Sequence, residues 1–133
     1  MPDGTKYTGD WKNGKAHGKG VKYLQNGTIY DGTWEDGQIV LGKCTYPDGK
    51  IYEGEWREGK PHGGGIKFWP DGRKYDGEWC VGKPFGIGKK VYPDGKFKLG
   101  YWEGTKFYEG RKLINLIDYY YSSTKRQRVQ ITY

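Results

Sequence analysis

The sequence predicts an all-β chain: an elongated, single-layer antiparallel meander of stacked β-hairpins, with a short C-terminal capping helix and tail. Three observations predict it. Gly makes up 24 of the 133 residues, and 13 Tyr, 6 Trp and 4 Phe accompany it, a composition suited to tight turns and ring packing. The triplet Tyr-x-Gly-x-Trp recurs four times, at Tyr7, Tyr30, Tyr52 and Tyr75, in steps of 22 or 23 residues. A turn column, Asn26-Gly27, Asp48-Gly49, Asp71-Gly72 and Asp94-Gly95, keeps step with it. Fixed-period self-similarity marks an array in which each unit packs only on its neighbours.

Tyr-x-Gly-x-Trp alternates, so it reads as a strand with Tyr, Gly and Trp on one face. The opposite face is polar: Thr8 and Asp10, Asp31 and Thr33, Glu53 and Glu55, Asp76 and Glu78. Pro47-Asp48-Gly49 suits a three-residue hairpin loop closed by a left-handed glycine. That loop sets Tyr46 opposite Lys50. Counting outward then opposes Gly42 to Gly54, Gly20 to Gly32, Gly65 to Gly77 and Gly88 to Gly100. Facing glycines leave a trough in which neighbouring rings lie flat on backbone and the sheet curves strongly. Lys22, Lys67 and Lys90 fall opposite Tyr30, Tyr75 and Lys98, and the first two are expected to lay their stems on those rings. A fifth, worn copy keeps only Gly100-x-Trp102.

These residues resemble the MORN (membrane occupation and recognition nexus) repeat, a unit of the form Y-x-G-x-W-x-x-G-x-x-H-G-x-G followed by a D-G turn. Tyr7 to Gly20 fits throughout, and Tyr52 to Gly65 equally well, with Lys60-Pro61-His62-Gly63. Tyr75 to Gly88 fits with Phe85 in place of His. The second copy departs: Gly37-Gln38-Ile39-Val40-Leu41-Gly42 is one residue short and lacks His-Gly. The resemblance spans roughly residues 2–105. It implies a hairpin array used for binding rather than catalysis, in cytoskeletal, ciliary and cortical assemblies, and less uniformly at membranes or phosphoinositides.

No convergent catalytic set stands against that reading. Gly37 to Cys44 has P-loop spacing, but the repeat generates the same frame at Gly9, Gly54 and Gly77, without the strand–loop–helix setting a P-loop needs. His17 and His62 sit in equivalent turns of non-adjacent repeats, so they read as loop histidines rather than metal ligands. Cys44 and Cys80 read as ordinary thiols. The carboxylates of the polar face alternate with lysines at every repeat and read as a solvated face. No cofactor, metal, nucleic acid or small-molecule substrate is expected. The N-terminus resembles no targeting segment and no apolar run spans a bilayer. The expected compartment is the reducing cytoplasm, and the resemblance implies a place at the cytoskeleton and ciliary axoneme.

Three divisions follow: the array at 2–105, a capping helix at 106–121 and a basic extended tail at 122–133. The helix rests on Leu113, Leu116, Ile117 and Tyr120 at helical spacing over 111–121. Residues 111–133 carry +4 of the chain's net +7. Arg128 to Tyr133 alternates like a strand, suited to strand addition or to an acidic surface. Residues 5–11 have a partner strand on one side only, which leaves an edge.

The candidate partner-binding residues are therefore of three kinds. The first is the ring face: Tyr7, Trp11, Tyr30, Trp34, Tyr52, Trp56, Tyr75 and Trp79. The second is an apolar loop edge where the repeat breaks its own rule: Ile39, Val40, Leu41, Cys80, Val81 and Phe85. The third is the tail, through Lys125, Arg126 and Arg128. Other protein subunits of a large assembly are the expected partners. Anionic phospholipids or phosphoinositides are the alternative, since each basic residue near a membrane contributes about 1 kcal/mol.

Overall fold

The computed structural model describes residues 4–108. Ten strands follow in chain order: β1 Lys6–Lys12, β2 Lys15–Tyr23, β3 Ile29–Glu35, β4 Gln38–Thr45, β5 Ile51–Arg57, β6 Lys60–Phe68, β7 Lys74–Cys80, β8 Lys83–Val91, β9 Phe97–Glu103 and β10 Lys106–Tyr108. They form one antiparallel sheet in sequence order. This is the all-β hairpin meander that the periodicity predicts. The sheet runs past residue 105, because Lys106–Tyr108 pairs with β9, so the start of the segment read as a capping helix is a strand. The helix expected over 111–121 and the tail at 122–133, with Lys125, Arg126 and Arg128, lie outside the described residues.

Two kinds of turn alternate. Within a repeat the connection is two residues, Asn13-Gly14, Asp36-Gly37, Glu58-Gly59 or Val81-Gly82, with φ near +50° at the first and near +80° at the second. Positive φ at both positions matches the right-handed twist of the strands. Between repeats the three-residue loop closes as the sequence predicts: Tyr46 N–H donates to the Lys50 carbonyl, and Gly49 N–H to the Tyr46 carbonyl, both at 2.9 Å. The Asp48, Asp71 and Asp94 carboxylates accept the N–H two residues on, at 2.9–3.0 Å, which fixes the loop.

Glycine opposes glycine from β1–β2 to β8–β9; the pairs between repeats are those counted from the sequence, and the pairs within a repeat extend the column. Tyr52 explains why. Its hydroxyl donates to the Glu55 carbonyl at 2.7 Å, and its ring lies across the opposing strand so that a Cβ at Gly65 would collide with it. Tyr7 on Gly20 and Tyr75 on Gly88 repeat the arrangement. Beyond the glycine pair of each hairpin within a repeat the ladder bulges: Gly54 faces Gly65 but Trp56 faces Pro61. The bulge turns on a left-handed glycine, Gly63 at φ +91°, and Glu55 accepts the Gly64 N–H at 2.8 Å. In repeat 2 Gly32 faces Gly42 and Trp34 faces Ile39. The missing residue shortens this bulge rather than shifting the sheet.

The core is one file of rings on one face. Each Trp from repeat 2 to repeat 4 meets the Tyr of its own repeat and the Tyr of the repeat before, edge to face: Trp79 lies 5.1 Å from Tyr75 and 5.3 Å from Tyr52. Each buried indole also donates to a glycine carbonyl in the preceding strand: Trp34 to Gly20, Trp56 to Gly42, Trp79 to Gly65 and Trp102 to Gly88, at 2.9–3.0 Å. Phe107 of β10 packs on Trp102 at 4.7 Å and covers that end of the file.

Candidate functional site

The rings expected to grip a partner are mostly spent on the fold. Trp34, Trp56, Trp79, Tyr52 and Tyr75 are buried, and Tyr7 and Tyr30 are half-buried. The glycine trough that admits the rings also lets the adjacent repeat close over them. Trp11 is the exception among the eight, 57% exposed. The apolar loop edge also divides. Ile39, Val40 and Leu41 lie in β4, Cys80 in β7 and Phe85 in β8; Val81 alone is in a turn. Ile39 is buried, whereas Leu41, Val81 and Phe85 are exposed. Val81 takes φ +49°, strained for a β-branched residue, and its N–H donates to His62 Nδ1 at 3.3 Å. That histidine ties the turn of one repeat to the strand of the previous one.

The outer face, read from sequence as polar, carries an apolar row. One register line crosses Tyr23, Ile29, Ile51, Phe68, Val91 and Phe97, interrupted by Thr45 and Lys74. Tyr23, Phe68 and Phe97 are exposed, with Leu99 and Leu41 on neighbouring lines. Beside it runs a line of alternating charge, Asp31, Lys43 and Glu53. The row was present in the sequence, as the residues flanking each Tyr and each Lys-column position.

The ring face of repeats 3 to 5 gathers cations instead. Around the Trp69 ring stand Lys67 at 5.3 Å, Arg73 at 5.2 Å and Lys90 at 5.8 Å from its centroid. The sequence places Lys67 on Tyr75 and Lys22 on Tyr30. In the fold Lys67 leans on Trp69 and Tyr46, and Lys22 on Trp34. Each lysine is in register with its Tyr, but that ring is turned across the glycine column toward its Trp. Arg73 pairs with Asp71 at 2.8 Å. Among the described residues Lys67 and Lys90 have no carboxylate within ion-pair distance. Burial holds the Lys67 ammonium below its usual pKa, with Lys50 adding to this; burial, then Arg73 and Lys98, does the same for Lys90. An open cavity of about 490 Å³, bordered by Trp69, Lys83, Lys90, Trp102 and Lys106, continues this surface.

Cys44 takes the lysine's place in the same column in repeat 2. It is fully buried, facing Tyr30 and Tyr52.

Comparison with known families agrees with this geometry. The MORN repeat family matches four times, at residues 7–29, 30–51, 52–72 and 75–97, each match opening on the Tyr of a repeat. No curated protein matches the chain. MORN repeats are generally non-enzymatic modules for protein or membrane interaction. With more than half of its residues in these matches, the chain belongs to the MORN repeat family.

Proposed function

We propose that this chain is a non-enzymatic structural subunit, a curved platform that docks other protein subunits of a larger cytoskeletal assembly. The ciliary axoneme, at a radial-spoke-like position, is the site the family resemblance favours. The outer apolar row carries the reading. Its members are exposed or half-buried, lie on one register line and contribute nothing to the ring core, and exposed apolar residues grouped in this way mark protein contact. A tagged chain expressed in ciliated cells tests it. It is expected to stay with the axoneme after detergent extraction and to leave it when Phe68 and Phe97 are both replaced by Ser. Release of the unaltered chain by detergent alone would overturn the reading.

A second reading, a peripheral module for anionic phospholipids or phosphoinositides, is favoured by the cations around Trp69. Sedimentation with phosphoinositide vesicles separates the two. Tight, salt-sensitive binding that is lost in a K67E/K90E chain would favour the membrane.

A further inference from the structure

Trp11 breaks a rule that every later tryptophan of the Tyr-x-Gly-x-Trp column obeys. Trp34, Trp56, Trp79 and Trp102 are 3–6% exposed. Each donates its indole N–H to the glycine that opposes its own repeat's glycine in the preceding strand. Trp11 already holds the matching pose, 4.9 Å from Tyr7 at 81°, as Trp56 stands 5.0 Å from Tyr52 at 87°. Yet β1 has no strand on its outer side among the described residues. What is missing is specified by the repeat: an antiparallel strand with glycine opposite Gly9, whose carbonyl receives the Trp11 N–H.

We infer that the outer edge of β1 is a self-association surface, and that its occupant is β1 of a second copy of this chain. The described sheet has two edges. The other one, β10, is three residues long and its sequence, Lys-Phe-Tyr, has no glycine. β1 carries the glycine at the required place. Set antiparallel with Gly9 against Gly9 on a two-fold axis, the two strands continue the glycine column without interruption. Tyr7 then faces Trp11 of the second copy, and each Trp11 reaches the other copy's Gly9 carbonyl. Both ring faces lie on the same side, so the ring file runs through the junction, and the interface is closed and isologous. The same register opposes Thr8 to Asp10 and Lys6 to Lys12, twice over. The two lysine pairs repel, so added salt strengthens the pairing, opposite to an interface held by unlike charges.

Sedimentation equilibrium of the full chain tests this, with far-UV circular dichroism as the check on folding. The expected result is a monomer–dimer equilibrium that tightens with salt. Lys12→Glu alone tightens it about tenfold by making two unlike pairs with Lys6, and the K6E/K12E chain loosens again because the pairs are once more alike. Trp11→Ala loosens it. The lysine reversals lie on an exposed edge and keep the test usable if Trp11→Ala perturbs folding. A chain that stays monomeric to about 1 mM overturns the inference. So does a dimer indifferent to Lys6, Lys12 and Trp11, and so does open-ended growth beyond dimers, which would put β1 on some other edge.

Discussion

Cys44 stands directly opposite Tyr30 across the β3–β4 ladder, in the column that Lys22, Lys67 and Lys90 occupy in the other repeats. Its side chain is fully buried, and burial pushes the thiol up to about 11. A thiol in this state is a small apolar filler and a poor nucleophile. Cys80 is only partly buried. A maleimide is therefore expected to label Cys80 in the native protein and to reach Cys44 only after denaturant is added, with the two sites resolved by peptide mass mapping. Fast native labelling of Cys44 would contradict its position.

The same thiol makes stability depend on alkaline pH. In the unfolded chain it ionises near its ordinary value of 9.0, and in the fold only near about 11. Between those values the native state holds the proton more tightly, so stability falls as pH rises through that window. The buried Tyr52 and Tyr75 phenols, also raised by burial, act in the same direction at higher pH. Urea midpoints from about pH 8 to 10.5 are expected to fall, and Cys44→Ala is expected to flatten the early part of that fall.

Two glycines of repeat 3 separate steric need from backbone need. A Cβ at Gly65 meets the Tyr52 ring, whereas one at Gly59 meets nothing within 4 Å. Gly65→Ala is expected to cost about 3 kcal/mol, as overpacking against a ring that cannot retreat. Gly59→Ala, at φ +78°, is expected to cost about 1 kcal/mol from the left-handed backbone alone. Denaturant titrations of the two single variants check the order.

The indole N–H bonds predict a position-dependent cost for one chemical change. Trp79→Phe loses the bond to Gly65 and part of a buried ring, for about 2 kcal/mol. Trp11→Phe, measured in dilute protein, changes stability by less than about 0.5 kcal/mol, because an exposed ring without that bond has little to lose. Equal costs at the two positions would refute the assignment of the bonds.

Much of the ladder is readable from residues alone. The loop at Pro47-Asp48-Gly49 fixes the register, and a count of alternating positions then opposes Gly42 to Gly54. Both steps are local and depend on chain geometry. Three features are not readable in that way. The bulge opposite Glu55 follows from the closing of two differently sized turns onto one strand. The burial of the Trp rings follows from their lying over a neighbouring repeat, 14 residues back at the glycine carbonyl. Lys67 settles on Trp69 rather than Tyr75 because the Tyr75 ring is drawn toward Trp79 and Gly88.

The sequence by itself determined that this chain is a β-hairpin array, where the loops between its repeats fall and which glycines meet across them, since period and turn chemistry act within a few residues. The tertiary structure alone decided which face is available to a partner. Stacking one repeat on the next buries the aromatic face, and it aligns residues from separate strands into the outer apolar row, a property of no single repeat.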